Sequence, residues 1–381
     1  MTYDAIVIGL GGMGSATAAD AALRGLRVLG LERFGPVHDR GSSAGRSRII
    51  RKAYFEDPAY VPLVRRAFER WHDLELVTGS DILRITGVLL VGMPRHASVR
   101  NARASALLHE LPFDELDAVA IRKRYPRLAP YRDEIGIFER DAGLLVPETA
   151  IAAHLELAQR AGAELRFHAP VRSWRDGPAG SIEVELEDGS TYMTRRLALC
   201  MGPWFEDAAR AIGIPLAIER RVQHWFAPGT AGYGPDDIPT FLIDRDEQPS
   251  RMYGFPDLGD GLKAAFHGVG VVTHADDLDR VVAEADIAPV RRALEAWIPG
   301  STARYLGGKV CMYSLTPDEH FVLGLYPGDP RIVLAGGFSG HGFKFASVIG
   351  EIITDLLADG ATPHDIGFLS PARFERLPVE R

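Results

Sequence analysis

The residues near the start of the chain best suited to chemistry are the glycines of Gly9-Leu10-Gly11-Gly12-Met13-Gly14 and the acid Glu32, 23 positions after Gly9. Gly9 suits a tight turn, Gly11 lets backbone N–H groups approach a pyrophosphate at a helix N-terminus, and Gly14 lets helix and strand pack closely. Glu32 stands where a carboxylate accepts hydrogen bonds from both hydroxyls of an unphosphorylated ribose. The elements needed to hold that geometry surround it. Tyr3 to Ile8 reads as a buried strand, an Ala-rich helix runs to Arg24, and Arg27 to Leu31 is a second strand ending at the acid. Strand, turn, helix, strand and acid in this order predict a dinucleotide site, whereas a lone G-x-G-x-x-G would leave a plain glycine turn open. The fingerprint does not separate NAD from FAD; its place at the head of the sequence favours FAD.

Further along, five segments hold residues able to act on a ligand. Arg48 and Arg51 follow the small-residue run Gly41 to Ser47, and on a short helix or tight turn residues three apart share a face. Arginines beside loops are ordinarily solvated, but two isoleucines separate this pair. In Gly261 to His267 the alternation puts Lys263 and His267 on one strand face, towards either a ligand or water, with Tyr253-Gly254-Phe255-Pro256 able to wall the same cavity. The third segment is Lys309 to Asp318, with Cys311 inside it, and the fourth is Gly336 to Lys344. The latter has four glycines within seven residues ahead of a helix, more than a turn needs and enough for backbone to pass close to a flat ligand. Gly202-Pro203-Trp204 suits backbone packed against a nucleotide.

These residues need a scaffold, and periodicity supplies its outline. Helices are predicted over Tyr60 to Leu76, Pro147 to Ala161, about Asp286 to Trp297 and about Ala346 to Ala358. Strands are predicted at Glu164 to Phe167, Ile182 to Leu186, Leu197 to Cys200, Arg221 to Pro228 and Ile332 to Gly336. The expected fold is α/β: a Rossmann-like FAD-binding domain over 1–80, 145–215 and 305–381, and an α+β substrate domain on a mostly antiparallel sheet over 81–144 and 216–304. At 381 residues and 46% hydrophobic content, about two cores can be filled. A net charge of −8 argues against a nucleic-acid partner. No apolar run reaches the roughly 18 residues of a membrane span, so a cytoplasmic protein is the default expectation. Cys200 and Cys311 lie far apart in dissimilar contexts and do not suggest a disulfide; a lone cysteine is ordinarily inert core.

Taken together the segments resemble the monomeric sarcosine oxidase and N-methyltryptophan oxidase family, FAD-dependent amine oxidases of the D-amino-acid-oxidase type. The likeness runs from Tyr3 to about Phe374. Its most specific parts are Arg48-Ile49-Ile50-Arg51, Tyr253 to Pro256 with Lys263 and His267, Cys311-Met312-Tyr313 with Thr316-Pro317-Asp318, and Gly337 to Lys344. The resemblance implies that Cys311 forms a thioether to the 8α carbon of FAD, and that Arg51 and Lys344 grip a substrate carboxylate. It further implies that Arg48 lies against the flavin and that Lys263, held near flavin N5 through water, favours electron transfer to oxygen. Tyr253, His267 and Tyr313 would shape the amine pocket. On the same ground FAD is expected to touch Gly12 and Met13 in the turn, Arg33 beside the acid, and Ser42 and Ser43. Val171, Gly202, Trp204 and Met312 would line it further on, with Gly337, Gly340, His341, Gly342, Phe343 and Lys344 at the far end.

The implied activity is oxidation of a secondary amino acid (sarcosine, a bulkier N-methyl amino acid or a cyclic imino acid) with oxygen as acceptor, yielding an imine that hydrolyses and hydrogen peroxide. A monomer, with no metal, membrane or nucleic-acid partner, is expected. The chain also departs from the family: Ser43 and Ala44 stand where histidines are usual, Ser47 replaces a threonine, and Phe241 to Met252 diverges, so side-chain preference does not transfer. Three rivals remain open here: a flavin dehydrogenase using another acceptor, an NAD-linked dehydrogenase, and a noncatalytic flavin-binding protein.

Overall fold

The computed structural model describes residues 2–268 and 270–374. Its first layer is an eight-stranded sheet whose parallel heart runs Glu164–Arg166, Val28–Leu31, Thr2–Ile8, Thr191–Leu199, Asp329–Gly336. Strands buried on both faces read as unbroken apolar runs, as Ala5 to Ile8 and Leu197 to Leu199 do, and this is the pattern of a sheet covered by helices. Gly12–Leu23, Pro147–Arg160 and Ala346–Asp359 cover one side. The antiparallel pair Val171–Asp176 and Ile182–Leu186 extends the sheet past Thr191–Leu199.

The second layer is a nine-stranded, mostly antiparallel sheet, with Val88–Gly92 against Thr240–Asp244 as its parallel pair. Glu284–Trp297 packs on it through Ile287, Val290, Leu294 and Trp297, at the helical spacing the sequence carries. Arg304–Leu315 pairs with Ala217–Ala227 from end to end, with one bulge near Trp225. That pairing corrects the expected boundary at 305: the chain stays in the second sheet to Leu315 and returns to the first only with Val322–Tyr326.

Arg48–Ile50, Gly143–Leu145 and Leu83–Ile85 form a third, three-stranded antiparallel sheet. Here too an expectation is corrected. Arg48 and Arg51 are not on a helix or turn; Ile49 pairs with Leu144 in an antiparallel ladder, and the chain leaves the strand at Arg51. Among the described residues, no helix is long and apolar enough to cross a membrane and no cluster of three metal-ligating side chains occurs.

Candidate active site

A cavity of about 660 Å³ runs between the two large sheets, from Glu32 at one end to Lys344 at the other. The glycine turn forms its first wall. A Cβ on Gly14 would lie 1.7 Å from Gly9 O, so only glycine lets the helix start this close to the strand end. A Cβ on Gly11 would meet nothing nearer than Ser43 Oγ at 3.8 Å, because that side of the turn faces the cavity. Glu32 accepts from Leu10 N–H at 2.8 Å and Phe34 N–H at 3.0 Å, and His38 Nε2 is 3.3 Å away. Burial alone would raise its pKa; hydrogen bonds from His38 and these two amides pull it below the ordinary carboxylate value. It is therefore an ionised acceptor facing the cavity, the state a ribose diol requires.

The expected nucleotide contacts Met13, Arg33, Ser42, Ser43, Val171, Gly202 and Trp204 all line this half. Ser43 Oγ accepts from Gly12 N–H at 3.3 Å, and Arg33 pairs with Asp276, which also accepts from Trp204 Nε1 at 2.7 Å. Farther along stand Arg48, Gln223, Met312, Gly340, His341, Gly342 and Phe343. Gly340 has φ +76° and a Cβ there would sit 2.2 Å from the Tyr313 ring, so this glycine sets the ring's position. Gln223 Oε1 is buried without a hydrogen-bond partner while Nε2 faces Cys311 Sγ at 3.5 Å. An orphan acceptor on a residue that lines the cavity, together with a glycine turn whose open side faces the same cavity, fits a bound dinucleotide whose flavin carries its own N–H donor.

The far end is strongly cationic. Arg51, almost fully buried, directs Nη1 to Ala53 O at 2.7 Å and Nη2 to both oxygens of Glu56 at 2.6 and 2.9 Å. The turn after it is fixed by Glu139, whose carboxylate accepts from Lys52 and Ala53 N–H. Lys344 Nζ donates to His341 O at 2.7 Å and Tyr54 Oη at 3.3 Å, while Trp71 Nε1 holds the Lys344 carbonyl at 2.9 Å. Both cations flank one ring: Arg51 Cζ is 4.6 Å and Lys344 Nζ 5.1 Å from the Tyr54 centroid. Burial lowers Lys344 to about 7, with Glu56 acting to raise it and Arg51 to lower it. Tyr54 Oη and Glu319 O bracket His341 at 2.6 and 3.0 Å. A carbonyl only accepts, so Nε2 carries the proton and Nδ1 takes the tyrosine's. Burial drives His341 down to about 4 and His267 to about 3, leaving both neutral near pH 7.

Tyr253, His267 and Tyr313 line the cavity together, with Tyr313 Oη 3.4 Å from His267 Nδ1. Four expected site residues stand behind the wall instead. Gly14 acts through packing, and a Cβ on Gly337 would press on Thr316. Cys311 is buried against Gln223 while its neighbours Met312 and Tyr313 reach the cavity. Lys263 Nζ reaches Gly45 O at 2.6 Å, Ser47 O at 2.8 Å and Ser47 Oγ at 3.2 Å, three acceptors for three donors, rather than open space. Burial pushes its pKa well below the ordinary lysine value, and the nearby Arg48 charge adds to this. Arg48 is braced likewise, to the carbonyls of Ser42, Ala44 and Ser47.

Sequence reasoning missed Glu56 and Arg251 on the cavity wall, Tyr54 behind Arg51 and Lys344, and Gln223 beside Cys311. Arg251 had a signal: strand alternation puts it on the same face as Tyr253. The others lie in irregular chain or in a strand whose partners are distant, and left none.

A family model described as DAO, FAD dependent oxidoreductase, matches residues 4–356. The chain belongs to this family of FAD-dependent oxidoreductases. It is 44% identical to a monomeric sarcosine oxidase from Streptomyces avermitilis, with 99% of each chain covered. It is 38% identical to a monomeric sarcosine oxidase from Bacillus sp. strain B-0618 (97% and 95% covered), and 35% identical to N-methyl-L-tryptophan oxidase from Escherichia coli O157:H7 (98% and 100%). Among solved structures, NikD, an unusual amino acid oxidase, superposes with a TM-score of 0.85 over 97% of both chains at 24% identity. L-proline dehydrogenase from P. horikoshii gives 0.84 over 98% of both at 21%; both likenesses speak to the fold alone. The expected α/β flavoprotein architecture is thus the observed one, and the enzyme is an FAD-dependent oxidoreductase.

Proposed function

We propose that this enzyme is a flavin-dependent oxidase of secondary amino acids, of the sarcosine-oxidase type. The observation that carries the reading is that Arg51 and Lys344, both set against the buried Tyr54 ring, line the same cavity as the glycine turn and Glu32. A guanidinium fork and an ammonium are strong charge-assisted donors to one carboxylate, and fixing the acid end aims the amine end. When bound, FAD supplies the two-electron acceptor for the substrate C–H bond and the reductant for oxygen.

The chain's own residues position and exclude water. Tyr253, His267 and Tyr313 wall the amine; the neutral His267 can accept a proton or a hydrogen bond from it. Arg48 and Lys263 brace the 42–47 loop, whose Ser42 and Ser43 line the cavity, and the Arg48 guanidinium, which lines it too, favours any negative charge developing beside it. Cys311, next to the orphaned Gln223 carboxamide, is the proposed thioether anchor to the 8α position. The resulting imine leaves for hydrolysis in water. The first sheet is the cofactor-binding half and the second the substrate half, in a cytoplasmic monomer.

One observation favours a dehydrogenase as a second reading: Lys263 is tied to loop carbonyls instead of facing the cavity. Anaerobic flavin bleaching by a panel of secondary and primary amino acids, followed by peroxide counted per turnover in air, tests both. Bleaching by secondary amines with one peroxide per turnover supports the oxidase; bleaching with negligible peroxide supports the dehydrogenase; no bleaching by any amino acid refutes both. Acid precipitation tests the anchor: the wild-type pellet stays yellow and that of Cys311→Ser is colourless.

A further inference from the structure

Arg251 is a cation of this cavity that nothing above uses and that no carboxylate pairs with among the described residues. It lies one residue before the strand Met252–Phe255, its carbonyl accepts from His267 N–H at 2.9 Å, and its side chain lines the cavity. Among the described residues its guanidinium has no ion pair and no hydrogen bond, although five donors are available. Its one close partner is an aromatic face: Arg251 Cζ is 4.2 Å from the Phe55 centroid, and Arg51 Cζ is 3.8 Å from the same centroid. Two guanidiniums therefore flank one ring, within reach of a single small molecule. Glu56, Asp244 and Glu319 act on Arg251 electrostatically without pairing with it; Glu56 is engaged by Arg51, and Asp244 accepts from Ser98 Oγ.

Arg51, Lys344 and Arg251 face the same end of the cavity, where Glu56 pairs directly with Arg51 and acts on Arg251 only at a distance. His267 and His341 are neutral near pH 7 and contribute no charge. A substrate's single carboxylate, held by Arg51 and Lys344, leaves the donor fork of Arg251 without a partner. A second carboxylate takes that place.

We infer that the preferred substrate is a secondary amino acid carrying a second carboxylate, an N-substituted acidic amino acid or an iminodicarboxylate, with Arg51 and Lys344 holding the α-carboxylate and Arg251 the distal one. This rests on the proposed oxidase reading and narrows its substrate class. The class of reaction supplying the substrate follows from it: an alkyl group joined to the nitrogen of an acidic amino acid, or a carboxyalkyl group joined to the nitrogen of a monocarboxylic one.

The holoenzyme is assayed with racemic N-methylglutamate and N-methylglutamine, which differ in charge and little in shape. In the wild type kcat/KM favours the acid on the order of a hundredfold, and Arg251→Met collapses that ratio towards one, with Arg251→Lys between. Calorimetry with glutarate and butyrate, which cannot be oxidised, gives a readout independent of turnover. Glutarate binds more tightly, and the margin shrinks in Arg251→Met. A wild-type ratio at or below one, or a ratio unmoved by Arg251→Met, overturns the inference, as does equal binding of glutarate and butyrate. If no amino acid bleaches the flavin but glutarate still binds through Arg251, the oxidase reading falls while the dicarboxylate site stands.

Discussion

Replacing Glu56 by Gln removes the carboxylate that neutralises Arg51 and leaves its volume almost unchanged. The guanidinium loses a bidentate partner at 2.6 and 2.9 Å while staying almost fully buried. Breaking a buried pair from one side costs about 3–5 kcal/mol, because the remaining charge is left in a poorly solvating surround. Unfolding entropy near 60 °C is about 2.1 cal/mol/K per residue. Over 381 residues that converts the loss into a fall in Tm of about 4–6 °C. A second signature separates lost pairing from generic damage. Glu56 is what holds Lys344 up to about 7, so its removal moves the Lys344 titration to lower pH. Scanning calorimetry reads the first effect, and the pH dependence of Kd for a carboxylate inhibitor reads the second. A Tm within 1 °C of the wild type, or an unmoved inflection, would refute the electrostatic account of this end of the cavity.

Other outcomes follow from the same geometry. Because Lys344 is protonated only below about 7, carboxylate affinity is full at pH 6 and declines as pH rises past that point; Lys344→Met gives a flat profile, since both cavity histidines have already lost their protons. Glu32→Gln leaves one of the Leu10 or Phe34 amides without an acceptor and weakens the ribose contact, so purified protein carries less flavin, read from the ratio of visible to ultraviolet absorbance; full occupancy would contradict the role. Gly340→Ala places a methyl 2.2 Å from the Tyr313 ring at φ +76°, which displaces the ring and raises KM more than it lowers thermal stability. Steady-state kinetics beside a melting curve distinguishes this from simple unfolding.

Much of the cofactor half is legible in the sequence because its physics is local. A turn closing within 1.7 Å of a would-be Cβ admits only Gly14, and parallel strands buried on both faces are continuous apolar runs. The substrate end is less legible because its partners are long-range or made of backbone. Lys263 answers to carbonyls of Gly45 and Ser47, more than 200 residues earlier, and carbonyls leave no mark in a sequence. The spacing of Arg48 and Arg51 suits a short helix or tight turn; the strand Gly143–Leu145, nearly 100 residues away, instead draws Arg48–Ile50 into a β-ladder that ends just before Arg51. Arg304–Leu315 was split by the expected boundary because its opening Arg304 to Gly308 is mostly exposed and carries Gly307 and Gly308, so it lacks the apolar alternation of a sheet strand.

The cavity is assembled from segments far apart in the chain: the glycine turn at 9–14 on one side, and Phe343 and Lys344 on the other. Between them the chain crosses from one sheet to the other and back. A molecule in which one layer has come apart therefore keeps only half of the binding site, so flavin retention reports that both sheets are folded and docked, and bound flavin stabilises the two layers together.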